Sequence, residues 1–140
     1  MGHLAFVVKV SYAAPKSELF TLGQVVALMD MQVVETEAGL THIVLDGRMD
    51  VAGAQAVDLK FSVLAGSRKK IIVDMAKVSF LASMGLRTLM FSAKTVAKKG
   101  GDMVICGADE NVEKVLRMSG VDEVIRIFPD FEAAASALSA

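Results

Sequence analysis

Tryptophan is missing from this chain and cysteine occurs once, at Cys106. A lone thiol excludes an intrachain disulfide and fits a reducing compartment. Its place in the apolar run Met103–Cys106 reads as a buried strand thiol, without the basic or histidine neighbours that activate cysteine. Histidine is almost as scarce. His3 is terminal, and His42 sits in the strand-like THIVL without the spaced Cys, His or carboxylate companions of a metal site, so neither a metal nor a cofactor is expected. G-x-G-x-x-G, P-loop and G-x-S-x-G patterns are all absent, which removes the case for nucleotide catalysis or a serine hydrolase and makes a non-enzymatic protein the expectation. The formal net charge is −1, so nothing favours direct binding to nucleic acid or to an anionic membrane surface. No apolar run approaches the roughly 18 residues of a membrane-spanning helix. The apolar LAFVV is cut by Lys9 and has no basic stretch before it, so membrane insertion and a secretory leader are not expected, and the cytoplasm is the expected location.

The 140 residues, 54% of them hydrophobic and 22% charged, suffice for one core and not for two ordinary domains. Residues 1–30 form an extension. Phe6, Val8, Val10 and Tyr12 alternate as a strand does, Pro15 breaks the run, and Glu18 to Met29 reads as a short helix. This segment is too apolar for a disordered tail and is expected to pack on the domain or on a second copy of it, which would make a homodimer.

Residues 31–140 read as alternating strands and helices, an α/β domain with one mixed sheet and helices packed on it. Gln32–Glu37 and Thr41–Leu45 pair as a hairpin about Ala38-Gly39. A helix from Ala52 to Leu64 follows, with Ala56, Leu59 and Val63, joined by Phe61 or Leu64, as its apolar contacts. Strand Lys70–Asp74 leads to a helix beginning at Ser83, in which Leu86, Leu89, Met90, Ala93 and Ala97 share a side and which Gly100 and Gly101 stop. Met103–Cys106 is the next strand, and strand–helix–strand units of this kind cross over right-handedly between parallel strands. Asp109 caps a helix carrying Val112, Val115 and Leu116, with Gly120 as its stop. Val124–Phe128 is a final strand, and Asp130 caps the alanine-rich FEAAASAL.

The richest stretch is KIIVDMAKVSFLASMGLRTL, Lys70 to Leu89, where an apolar strand delivers Ser83 to the mouth of an amphipathic helix. A serine there serves structurally as an N-cap, accepting one of the unpaired N–H groups of the first turn. The alternative, functional reading is that its hydroxyl takes a phosphate, in a place where the helix dipole tolerates added negative charge. Asp50 and Asp74 each end an expected strand on the side from which the next connection leaves, and such strand ends gather into a functional rim. Met49, Met75 and Met84 fall near the same rim, where flexible apolar side chains suit protein binding.

VSFLASMGL, with IIVD before it and a helix ending in KKGGDMVIC after it, resembles the signature of the STAS domain, in particular the bacterial anti-sigma factor antagonists. LDGRMD at Leu45–Asp50 resembles the family's strand-end element, and LRMSGVDEVIRIF at Leu116–Phe128 its third helix, turn and last strand. The resemblance runs from about Met31 to Leu138. It implies a STAS fold and a protein-binding switch in which Ser83, immediately before Met84, Gly85 and Leu86, accepts phosphate from a serine kinase that is also the anti-sigma factor. The unphosphorylated form would bind that kinase and release the sigma factor, and a PP2C-like, metal-dependent phosphatase would restore it. Asp50, Met49, Met84, Gly85, Arg87 and Asp74 would form the partner-binding rim. The chain departs from the family at Ala82, where an aspartate is usual. That departure suits an alternative role, a non-switching structural subunit of a lipid-transport complex or a stress-signalling scaffold.

Overall fold

The computed structural model describes residues 6–8, 29–36 and 38–139. Among them are six strands in one sheet: β1 (Phe6–Val8), β2 (Asp30–Glu35), β3 (Thr41–Met49), β4 (Lys70–Leu81), β5 (Asp102–Cys106) and β6 (Ile127–Phe128), ordered as in the chain. β1 to β3 are antiparallel neighbours and β3 to β6 run parallel, so the sheet is mixed, as expected. The helices are α1 (Val51–Ser67), α2 (Ser83–Lys98), α3 (Glu110–Met118) and α4 (Phe131–Ser139). The strand expected for Phe6–Tyr12 is present at Phe6–Val8. Its remainder, and the helix expected for Glu18–Met29 apart from Met29 itself, lie outside the described residues.

Three successive parallel crossovers advance across the sheet in one direction. With right-handed connections that places α1, α2 and α3 on the same face. There Phe61, Ile43, Leu45, Ile71, Met75, Leu89, Ile105 and Leu116 close the main core. α4 follows the last strand and is no crossover, which leaves it free to cover the opposite face. Ala134 and Leu138 pack there on Ile72, Val104 and the buried Cys106. β2 and β3 join at Ala38-Gly39, where Gly39 has φ +83°, a left-handed turn position that glycine adopts without strain.

β4 reaches Leu81 instead of ending at Asp74. Twice along the β3–β4 ladder, between Val44 and Asp46 and between Gly47 and Arg48, β4 holds one more residue than β3. These bulges space its inward residues Met75, Val78 and Leu81 three apart, a pattern that hides a strand from a search for alternation. At the other edge, Val121–Glu123 forms a 3₁₀ turn and Ile125 N–H donates to the Val121 carbonyl at 2.8 Å. Helical bonding therefore occupies the start of the expected Val124–Phe128 strand and only Ile127–Phe128 pairs.

The helix faces also differ in phase from the expected ones. α1 turns Ala54, Val57, Phe61, Leu64 and Ala65 inward and leaves Leu59 and Val63 exposed. Apolar residues occur all round this helix, so their spacing alone could not choose the face. α2 buries Gly85, Thr88, Leu89, Ser92, Ala93 and Val96, whereas Ala97 is exposed. Small and hydroxyl-bearing residues form the side that packs on α1. Thr88 is satisfied there as a donor: its hydroxyl proton is shared between Asp58 Oδ1 at 3.2 Å and the Met84 carbonyl one turn earlier at 3.1 Å.

Candidate functional site

The parallel register sets Met49 beside Leu81, and Ala82 N–H donates to the Met49 carbonyl at 3.1 Å. The chain leaving β3 at Asp50 and the chain leaving β4 at Ala82 therefore emerge side by side, and α1 and α2 begin at the same rim. Asp50 is the N-cap of α1. Its Oδ1 accepts the Gly53 N–H at 2.9 Å, and that bond, aided by Arg48 at 3.5 Å, holds its carboxyl below the usual carboxylate value. The Arg48 guanidinium lies 4.3 Å from the centre of the half-exposed Phe80 ring, its cross-strand partner.

Ser83 is the first residue of α2 and not its cap. The capping position belongs to Ala82, whose φ −125° and ψ −178° suit an N-cap but which has no side-chain acceptor. Ser83 is exposed, and its hydroxyl makes no hydrogen bond among the described residues. The first helical N–H with a carbonyl partner is that of Leu86, which donates to Ala82 at 3.1 Å. The opening turn of α2 thus presents a free hydroxyl amid N–H groups that no side chain occupies.

Of the other residues expected at the rim, Met84 and Arg87 line a groove of about 400 Å³ between α1 and α2. Ala54, Gln55, Asp58, Thr88 and Phe91 complete its walls. Phe91 is 67% exposed, an apolar ring at the far end of this groove. Met49 and Gly85 are at the rim but buried: a Cβ on Gly85 would come within 2.7 Å of Met49 Cγ and 2.8 Å of Leu81 Cδ1. They shape the start of α2 from beneath and present no surface to a partner. Met75 is likewise fully buried.

Asp74 is placed elsewhere. It lies within β4, with two bulges and the rest of the strand between it and Ser83. Its Oδ2 is 2.9 Å from His42 Nε2 and its Oδ1 accepts the Ala76 N–H at 3.0 Å. The His42 ring packs on Phe131 of α4, with ring centres 4.2 Å apart. The bond to His42 keeps the Asp74 carboxyl below its usual range. Nearby, burial pushes the Cys106 thiol up to about 12, with Asp74 and Asp130 adding to the effect, so the thiol is inert at neutral pH. The expectation of Asp74 at the rim assumed a strand end that the bulged extension of β4 removes.

Sequence reasoning missed Gln55, Asp58 and Phe91 as groove residues. The signal for Phe91 was its place outside the apolar side of α2; for the α1 residues the phase of that helix had to be known first. Among the described residues no group of three or more His, Cys, Asp or Glu side chains could hold a metal ion. Among them, too, no helix is long and apolar enough to cross a membrane.

Residues 31–134 match the model of the STAS domain. The anti-sigma F factor antagonist of Paenibacillus polymyxa is 25% identical over 103 residues, covering 71% of this chain and 88% of that protein. A crystal structure of an anti-sigma factor antagonist from Mycobacterium paratuberculosis superposes with TM-score 0.71 at 23% identity, covering 80% of this chain and 95% of the other. The Bacillus cell fate determinant SpoIIAA in its phosphorylated form superposes with TM-score 0.60 at 19% identity, over 76% and 98% of the two chains. Matched over most of its length and in the order of its elements, this chain belongs to the STAS domain family.

Proposed function

We propose that this protein is an anti-sigma factor antagonist, a non-enzymatic switch whose Ser83 is phosphorylated by a serine kinase that doubles as the anti-sigma factor. The observation that carries this reading is the Ser83 hydroxyl: exposed, unbonded, and excused from capping by Ala82. A serine held by its own helix would have to break that bond before reacting, whereas this one is open to a kinase. The similarity to anti-sigma factor antagonists supports the same role.

In the unphosphorylated state the rim of Asp50, Ser83 and Met84, continued by the groove to Arg87 and Phe91, meets the kinase and frees the sigma factor. A phosphate dianion on Ser83 would lose its water in such a contact. A penalty of about 3 kcal/mol is enough to weaken binding more than a hundredfold. A PP2C-like phosphatase resets the switch in the cytoplasm.

The test is capture of partners from the native host's lysate with the wild-type protein and Ser83→Asp in parallel, followed by mass spectrometry and by incubation of the captured kinase with ATP. A serine kinase retained by wild type, lost with Ser83→Asp and able to phosphorylate Ser83 is the expected result. Partners unchanged by the substitution, transporter subunits above all, would make the protein a fixed structural subunit and end the switch reading.

A further inference from the structure

Arg87 stands one helical turn beyond Ser83 on the exposed side of α2. Its guanidinium has no ionic or hydrogen-bonding partner among the described residues. The other arginine of this rim is engaged, since Arg48 pairs with Asp50 and covers the Phe80 ring. An anion four residues N-terminal to a cation is the favourable order for a helical pair, because each charge then also opposes the nearer end of the helix dipole.

The molecule contains this pair in a second place. On α3, Glu113 Oε2 and Arg117 Nε meet at 2.8 Å across the same spacing. The terminal oxygens of a phosphoserine lie as many bonds from Cβ as those of glutamate. A phosphorylated Ser83 would therefore reach Arg87 as Glu113 reaches Arg117, with more charge and a geometry that matches the guanidinium fork.

We propose that Arg87 is the internal receiver of phosphate on Ser83, and that phosphorylation thereby withdraws from the α1–α2 groove the cation that lines it. This role rests on the phospho-acceptor reading of Ser83 and adds what the phosphate does on arrival. The switch then acts twice. It places a dianion at the rim and removes from the groove a positive charge available to an acidic group of the partner.

The experiment uses protein carrying phosphoserine installed at position 83 during translation, so no kinase is needed, and follows the phosphate by ³¹P NMR through its second ionisation near pH 6. The expected midpoint in the otherwise wild-type protein lies about half a pH unit below that of Arg87→Gln. The Arg87 Nε–Hε resonance should move with the same midpoint, and Arg48→Gln should match wild type. Arg87 is exposed, so its replacement leaves the fold intact. Equal midpoints in wild type and Arg87→Gln, or a shift produced by Arg48→Gln alone, would overturn the assignment. Failure of any kinase to modify Ser83 in the capture experiment would instead sink the phospho-acceptor reading, whatever this titration shows of the pair.

Discussion

Helices α1 and α2 start next to each other at one rim, each directly after a parallel strand and each with a glycine at its third position, Gly53 and Gly85. Only α1 has a side-chain cap, from Asp50, while Ala82 leaves α2 without one. The remaining helices side with α1, since Asp109 caps α3 through the Val112 N–H and Asp130 accepts from Ala133 at the start of α4. Capping and anchoring are therefore separable. α2 is fixed by the burial of Gly85 against Met49 and Leu81, which lets its first turn stay chemically open. The openness follows from Ala82, whose backbone takes the N-cap conformation without bringing a side-chain acceptor.

The two glycines give the largest effects by which this contrast can be broken. A Cβ at Gly53 would sit 1.9 Å from the Arg48 carbonyl oxygen, a backbone atom, whereas at Gly85 the nearest atoms belong to the side chains of Met49 and Leu81. Gly53→Ala should cost about 3 kcal/mol and Gly85→Ala about 1–2 kcal/mol, because side chains yield more readily than backbone. Urea denaturation measures both. A Gly85→Ala variant as stable as wild type would show that packing does not fix the start of α2.

Exchanging caps comes next in size. Asp50→Ala should destabilise the protein by about 1 kcal/mol, and Ala82→Asp should stabilise it by about as much, since the Ala82 backbone already has the extended conformation of an N-cap. Unfolding midpoints of the two variants should move in opposite directions. If Ala82→Asp leaves the midpoint unchanged, the openness of α2 is not a matter of a missing acceptor.

Acid sharpens the same comparison. The Gly53 N–H holds the Asp50 carboxyl below its ordinary value of 3.8, so the folded protein keeps this group ionised where the unfolded chain protonates it. The stability this contributes is fully present above the ordinary value and is lost as pH falls through the lower folded value. Asp74, lowered chiefly by His42, behaves alike on the other face of the sheet. In Asp50→Ala only the Asp50 share disappears, so stability should fall less steeply below about pH 4 than in wild type. An identical slope would mean that the cap bond is not kept in solution.

The smallest effect at neutral pH concerns the opposite face. The Cys106 thiol, raised from 9.0 to about 12 by burial first, stays protonated in the folded state after the unfolded chain has ionised. Its contribution is present below about pH 9 and is lost as pH climbs toward 12. Under native conditions at pH 8 a maleimide should label it only through unfolding, more slowly in wild type than in Gly53→Ala. Rapid labelling of both would place the thiol at the surface.

The Gly39 turn, the aspartate caps of α3 and α4, the buried strand thiol and the position of Ser83 were legible in the sequence, because each rests on local chemistry: a left-handed turn residue, a short acceptor before a helix, an apolar run, a serine at a strand-to-helix junction. Likewise the order of elements carried the resemblance to the family. The length of β4 was not legible, since bulges against β3 replace alternation with a spacing of three. Nor was the phase of α1, in which Leu59 and Val63 look as fit for the core as Val57 and Phe61 and only contact with the sheet and α2 separates them. These two decisions assembled the site. The extension of β4 parted Asp74 from Ser83, and the packing of α1 on α2 hid Met49 and Gly85 while joining Asp58, Arg87 and Phe91 in one groove. Sequence alone determined which groups the chain carries and where helices begin, because those choices are made within a few residues. The tertiary structure decided which of these groups share a surface, because register and packing are set by residues far apart in the chain.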